Sequence, residues 1–531
     1  MMSFTNPIIP GFFPDPSCIR VGDTFYLANS SFQFFPGIPI HKSKDLINWE
    51  HIGNAISRPS QISLSTATTK INNAARGEVF TGGLYAPALR HHNGVFYIVC
   101  TMLTGSTTMQ ATDDFQPENF IISTRDIEDP NSWSELVPFD FYGIDPSLFF
   151  ADDGRVYVQG SWIHGYTKHP ATVIRQAEID LATGALLSEP RDIWAGATQK
   201  CPEGPHLYAK DGWYYLLIAE GGTHRGHQIT IARSKEIWGP YESNPSNPVL
   251  TAEASSAVIQ CVGHGDLFQD AAGEWWCVML ARREYGGSYP LGRETYMVPV
   301  TWKEGEWPVF ETVQVQQPAR GRVIATRVID DQFEDVLLQG PKTVFLRTPE
   351  LGKYSERSTE SGRRDIVLTP SQADLGVASG TMAFVGQRQT ALDSAARVII
   401  PLWESAGSGS ISYGLTVYKD TVRYVALEYN TAEATVSLKV QEAGKDLTSA
   451  NSIDTRDSSA LELVISSTVE KYTLECVKTL ADGAEESIVL GEVSCEALSG
   501  DDFTGTVYAI YAHGDGGDVS FRDFQVRDGA A

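Results

Sequence analysis

Cysteine is scarce in this chain: seven residues in 531, an odd number, with no Cys-x-x-Cys spacing anywhere. That excludes a zinc-ribbon or a densely stapled small domain and fits buried thiols in a reducing compartment. One or two disulfides in a secreted protein is the competing reading. No basic run interrupts the acidic balance, 41 Lys and Arg against 66 Asp and Glu, a formal charge of -25. Such a field repels phosphate backbones and anionic headgroups, which excludes nucleic acid and anionic membrane as partners. No apolar stretch reaches membrane-spanning length. The N-terminus, Met-Met-Ser-Phe-Thr-Asn-Pro, has no basic segment, apolar stretch or small-residue cleavage site. The expected location is therefore cytoplasmic, or extracellular if a signal segment is missing from the sequence.

What is abundant is aromatic: 11 Trp, 21 Tyr and 23 Phe, among 47 Gly and 27 Pro. This texture of short strands and turns predicts an all-β protein, and the length predicts at least two domains. The first three hundred residues carry a faint repeat: Asp15-Pro-Ser17, Ala86-Pro-Ala-Leu89, Asp145-Pro-Ser-Leu-Phe149, Glu203-Gly-Pro-His-Leu207 and His264-Gly-Asp-Leu-Phe268. The starts at 15, 86, 145, 203 and 264 lie about 60 residues apart, long enough for one propeller blade each. A turn and an aromatic strand follow every member, as in Asn93-Gly94 before Val95-Phe-Tyr-Ile98. Five such units predict a five-bladed β-propeller with the motif strands innermost. Generic hairpins of a sandwich are the plainer alternative, and five in register disfavour them.

From about Ile329 the Pro and Trp density falls, and segments such as Ser410–Val417 alternate polar with apolar residues. This predicts a catalytic propeller over 1–312, a linker over 313–328 and a C-terminal β-sandwich over 329–531, packed together because the linker has no long disordered tract.

Inner-strand positions face the propeller channel, so Asp15, Asp145 and Glu203 are expected to converge there. Close carboxylates raise one another's pKa, which lets a protonated acid coexist with an ionised base. Inverting glycoside cleavage needs that pair, an acid for the leaving oxygen and a base for water on the opposite face of the sugar. Glu203 suits the acid and Asp15 the base, with Asp145 holding Glu203 and raising its pKa. Taken singly, either Asp-Pro-Ser segment is better read as an Asx-capped turn.

Gly11-Phe-Phe-Pro-Asp15-Pro-Ser17, Ser31-Phe-Gln-Phe-Phe-Pro-Gly37, Asp145-Pro-Ser-Leu-Phe149, Glu203-Gly-Pro205 and Leu291-Gly-Arg-Glu-Thr295 resemble glycoside hydrolase family 43 in order and spacing, over nearly the whole chain. The resemblance implies a five-bladed propeller with Asp15 as general base, Asp145 as pKa modulator and Glu203 as general acid. It implies a C-terminal sandwich of the concanavalin-like jelly-roll kind, able to close the pocket. It further implies that Arg293 donates to sugar hydroxyls, the alternative being a surface salt bridge to Glu294 or Glu284. Phe32 and Tyr85 match pocket-wall aromatics, with core packing as the alternative for Tyr85. His264 matches a histidine near the channel axis that binds calcium through water in some members; a satisfied core histidine is the alternative, and one imidazole suits a hard cation poorly. No cofactor is otherwise required. Tyr85 and Phe13 stand where many xylosidase relatives have Trp and Asn, and both are expected beside the pocket. His224 and His227 are expected on a loop near the pocket rim.

The implied activity is an exo-acting β-xylosidase or α-L-arabinofuranosidase, with xylo-oligosaccharide or arabinoxylan as the partner molecule. A fructan-cleaving hydrolase shares the architecture, but its Asn-Asp-Pro-Asn and Glu-Cys motifs are absent from the expected places. The alternative from another class is a sugar-binding propeller without catalysis, since fold alone does not establish chemistry.

Overall fold

A computed structural model describes residues 3–72, 78–105, 115–165, 168–253, 255, 257–319, 327, 332–358, 364–402, 409–448 and 452–529. Five antiparallel sheets form first, each built on four strands joined in chain order, the first interrupted by a short strand given to the second domain. Their first strands, Ser17–Val21, Gly83–His92, Gly143–Phe150, Glu203–Lys210 and Ile259–Gln269, pack against one another around a common axis. These are the motif strands, so the repeat read in the sequence is the inner wall of a five-bladed propeller. The N-terminal strand Ser3–Thr5 pairs with Gln316–Pro318, and the Asn6 side chain donates to Met297 O, tying the start of the chain to the fifth blade. Beyond residue 319, the expected linker lies outside the described residues except for Arg327.

The C-terminal part contains two large antiparallel sheets, of eight and nine strands. Their strands obey the period-two rule: in Lys471–Leu480, Tyr472, Leu474 and Cys476 are fully buried, whereas the residues between them are only partly so. Each such buried aliphatic contributes ~1.5–3 kcal/mol relative to exposure.

The two parts share structure. Phe34 and Phe35, from a loop of the first blade, add a short strand to the nine-stranded sheet, opposite Leu346 and Phe345. Phe12, Phe32 and Tyr85 of the propeller lie in one apolar cluster with Leu346, Phe384 and Phe503 of the sandwich. The pocket mouth thereby comes under the edge of the second domain.

Candidate active site

The inner strands share a backbone device. Asp15, Ala86, Asp145, Gly204 and His264 all take left-handed conformations, with φ of 53, 39, 54, 56 and 50°. Strand pairing slips at this level in blades two to five. A bulge re-aims the side chains beside it, and backbone strain of this sort gathers at functional sites. The structural equivalents of Asp15 and Asp145 therefore include Gly204, not Glu203, where the sequence repeat put its fourth start. Glu203 stands one step earlier, level with Tyr85 and Ile144. Two rings of residues thus face the channel mouth, one carrying Asp15, Asp145 and His264, the other Glu203, Tyr85 and Ile144. The first ring has room because its fourth member is glycine: a Cβ on Gly204 would lie 2.9 Å from the His264 imidazole.

Asp15, Phe32, Tyr85, Asp145, Glu203, His264 and Arg293, seven of the residues singled out from the sequence, line one cavity of about 370 Å³. Asp15 is buried, accepting from Ser30 Oγ at 2.6 Å and Arg293 Nη1 at 3.1 Å. Burial would raise its carboxyl, but Arg293, His264 and the Ser30 hydroxyl outweigh it and hold the group below the ordinary aspartate value. Asp145 meets the opposite balance. Burial pushes it up to about 6, the Asp15 charge adding in the same direction, against the partial relief of His264 and the Gly204 N–H that Oδ2 accepts at 3.0 Å. That bond fastens Asp145 to the backbone immediately after Glu203.

Glu203 Oε1 faces His227 Nε2 at 3.8 Å. Burial drives His227 down to about 3, so its imidazole is neutral. His227 Nδ1 lies 3.2 Å from Cys261 O, an acceptor, which puts the single ring proton on Nδ1 and leaves Nε2 an acceptor. His227 is thus not on the rim as expected: its bond to the Cys261 carbonyl anchors it inside, beneath Glu203. His224 does line the pocket wall.

Arg293 does not make the surface salt bridge that was the alternative reading of it. Its partners are neither Glu294, which pairs with Arg283 at 2.9 Å, nor Glu284. Nη1 donates to Asp15 and Thr223 Oγ1, and Nε and Nη2 donate to Phe503 O, leaving one N–H for a sugar hydroxyl. Its guanidinium lies 5.3 and 5.4 Å from the Phe32 and Phe503 ring centroids, and those rings stack at 5.9 Å.

Phe503, which no motif in the sequence marks, is the sandwich's contribution to the pocket wall. Its segment is gripped from both sides. Val79 N donates to Asp501 O at 2.8 Å, and buried Asp502 pairs with Arg423 at 2.7 Å and Lys419 at 3.2 Å. The Leu-Gly-Arg motif supplies the seat, because a Cβ on Gly292 would lie 2.3 Å from Thr504 O. Tyr85 serves as wall and core together, its hydroxyl donating to Thr81 O at 2.6 Å. Phe13, expected beside the pocket, is not there. Its carbonyl is held by Asn29 and Thr295 on the inner side, and its ring packs against His41 and His51 of the first blade.

Below these rings a second network closes the channel. Asp266 accepts from Ser17 Oγ, Arg90 Nη1 and Tyr208 Oη at 2.7, 2.9 and 2.6 Å. Near His264 the nearest oxygen charge, Asp15 Oδ1 at 4.0 Å, is already engaged by Arg293. Among the described residues no group of three or more His, Cys, Asp or Glu is poised around a metal position.

A family model described as glycosyl hydrolases family 43 matches residues 4–308, and one described as beta xylosidase C-terminal concanavalin A-like domain matches 331–527. The non-reducing end alpha-L-arabinofuranosidase of Bacteroides ovatus is 33% identical over 561 residues, covering 99% of this chain and 95% of that protein. A xylosidase/arabinosidase of Butyrivibrio fibrisolvens is 42% identical over 318 residues, 58% of this chain and 56% of that protein. Among solved structures, xylan beta-1,4-xylosidase from Bacillus halodurans superposes with a TM-score of 0.86 at 27% identity, over 99% of this chain and all of the other.

Proposed function

The chain belongs to glycosyl hydrolase family 43 and is a glycosidase, and from that premise we propose that it releases terminal xylose or arabinofuranose from xylo-oligosaccharides or arabinoxylan with inversion at the anomeric carbon. The observation that carries this reading is the convergence of Asp15, Asp145 and Glu203 in one pocket, with the carboxyls of Asp15 and Asp145 shifted in opposite directions. Asp15 is held ionised by Arg293 and Ser30, and Glu203 faces a neutral acceptor on His227. In the reaction, Glu203 gives its proton to the glycosidic oxygen as the bond to the anomeric carbon breaks. Asp15 takes a proton from the water that attacks the same carbon from the opposite face. Asp145 acts through position, fixing the Gly204 amide and with it the backbone of the acid. Phe32, Tyr85 and Phe503 offer faces to the apolar side of the sugar ring.

A cavity of about 370 Å³, near the small end of ligand pockets, walled by a second domain, supports attack on a chain end over its interior. Both pentoses stay within the proposal, because the relative matched along 95% of its length is named an arabinofuranosidase and the one matched over 58% of this chain is named a xylosidase/arabinosidase. Calcium at His264 would have one imidazole from this chain, a poor donor for a hard cation, and no step above is routed through it.

Glu203→Gln is expected to abolish turnover of natural glycosides, by about 10³-fold, yet to keep far more activity on nitrophenyl β-D-xyloside or α-L-arabinofuranoside. A nitrophenolate leaves without protonation. Equal loss on both substrate types would remove Glu203 from the acid role, and a retained anomer seen by proton NMR would remove inversion.

A further inference from the structure

Away from the pocket, a second cavity of about 160 Å³ lies between the first blade and the sandwich. Its walls come from the N-terminal segment and blade one, with Phe13, His41 and His51, and from the sandwich, with Lys342, Arg388 and Asp528. Arg388 closes the strand Ala383–Arg388 and is 2% exposed, yet neither its Nε nor its Nη2 has a hydrogen-bond partner. No carboxylate pairs with it among the described residues; its neighbours are the Phe12 and Phe13 rings, 5.7 and 4.9 Å from Cζ. His41 and His51 stack on each other at 4.7 Å, and His41 Nδ1 and His51 Nε2 also lack partners. The cavity's own carboxylate, Asp528, accepts from Thr390 Oγ1 through Oδ2, and its Oδ1 has none.

Buried polar atoms are nearly always satisfied, and an unpaired buried cation is among the most costly features a fold can carry. Here five such atoms border one space: two nitrogens of Arg388, one from each histidine, and one oxygen of Asp528. Burial alone pulls Arg388 down to about 9, and burial with the Arg388 charge keeps both histidines neutral. Burial also raises the Asp528 carboxyl, against its bond from Thr390. The space holds about five water molecules, enough for a tetrahedral oxyanion. A guanidinium edge matches two oxygens of such an ion in parallel, and a hydrogen phosphate both accepts and donates, which suits imidazoles and carboxyl together.

We propose that this interdomain cavity is a binding site for a small oxyanion of the hydrogen phosphate type, held edge-on by Arg388 and flanked by His41, His51 and Asp528. The ion joins the first blade to the sandwich strand whose Phe384 packs in the same cluster as Phe503. Its binding therefore stabilises the seating of the second domain.

The test uses the whole chain. Inorganic phosphate is titrated against potassium chloride at matched ionic strength, and thermal unfolding is followed for the wild type, Arg388→Met and Arg293→Met. The expected result is a saturable rise of about 3 °C in the wild type, kept in Arg293→Met and lost in Arg388→Met. No saturable rise in the wild type overturns the site. So does a rise that Arg388→Met retains, and one lost in Arg293→Met alone puts the anion in the catalytic pocket instead. Because Arg388→Met is open to misfolding, calorimetric titration of the wild type with phosphate stands beside it. One saturating equivalent is expected, and absence of binding overturns the proposal without any variant.

Discussion

Two aspartates occupy equivalent places in blades one and three. Asp15 and Asp145 have the same backbone, φ 53 and 54°, and both precede Pro-Ser. Their surroundings part them. Asp15 meets the guanidinium of Arg293, from the fifth blade, and the hydroxyl of Ser30, and is held down. Asp145 has one backbone amide within bonding distance, bears the Asp15 charge, and rises to about 6. A repeated motif delivers the same functional group to two points of a ring; what converges from other blades decides which way its carboxyl is shifted.

The largest expected effect breaks the first half of that comparison. Asp15→Asn should lower kcat/KM by about 10⁴-fold on a nitrophenyl pentoside, because base activation of water is needed whatever the leaving group. A variant within tenfold of wild type would show that Asp15 does not activate the water. The second half should give a smaller loss, about 10²-fold for Asp145→Asn, mainly in kcat and with a displaced pH optimum, since Asp145 only positions the acid. A loss confined to KM would contradict positioning.

The same variant sharpens the electrostatics. A carboxyl raised in the fold lowers stability as pH climbs from the unfolded value of 3.8 through about 6. Asp145→Asn removes that cost, so it should unfold at a higher temperature than wild type at pH 8, by a free energy of at most about 3 kcal/mol. The advantage should vanish towards pH 4. For Asp15, lowered in the fold, the stabilisation is present above 3.8 and is lost as pH falls further, so Asp15→Asn should be less stable than wild type at pH 7. Melting temperatures across pH 4 to 8 test both signs, and parallel profiles for the two variants would erase the distinction. The smallest effect is at the domain boundary. Phe503→Ala should raise KM about tenfold with little change in kcat, because it removes a wall of the pocket and leaves the acid and base in place; unchanged KM would count against the closing role of the sandwich.

Much of this was legible in the residues. The five motif starts announced the propeller, since inner strands of a repeated blade must share their register. Asp15, Asp145 and Glu203 stood out because acid groups at repeat positions vary from blade to blade, whereas packing residues there recur. Glu203, however, was read one position out of register, since a sequence repeat cannot show which residue a bulge turns inward. Phe13 was misjudged for a related reason: nearness to Asp15 along the chain says nothing about which side of the strand its ring takes.

The sequence by itself determined the strands, the order of the blades, the alternating pattern of the second domain and the identity of the three carboxylates, because each rests on local spacing or on motifs a few residues long. Only the tertiary structure decided that Arg293 clamps Asp15 and the carbonyl of Phe503, that a neutral His227 backs Glu203, and that Phe503 reaches the pocket from a different domain. Those contacts join residues as many as 278 positions apart. Their physics is that of burial and close charge, which no local pattern encodes until the chain has closed on itself.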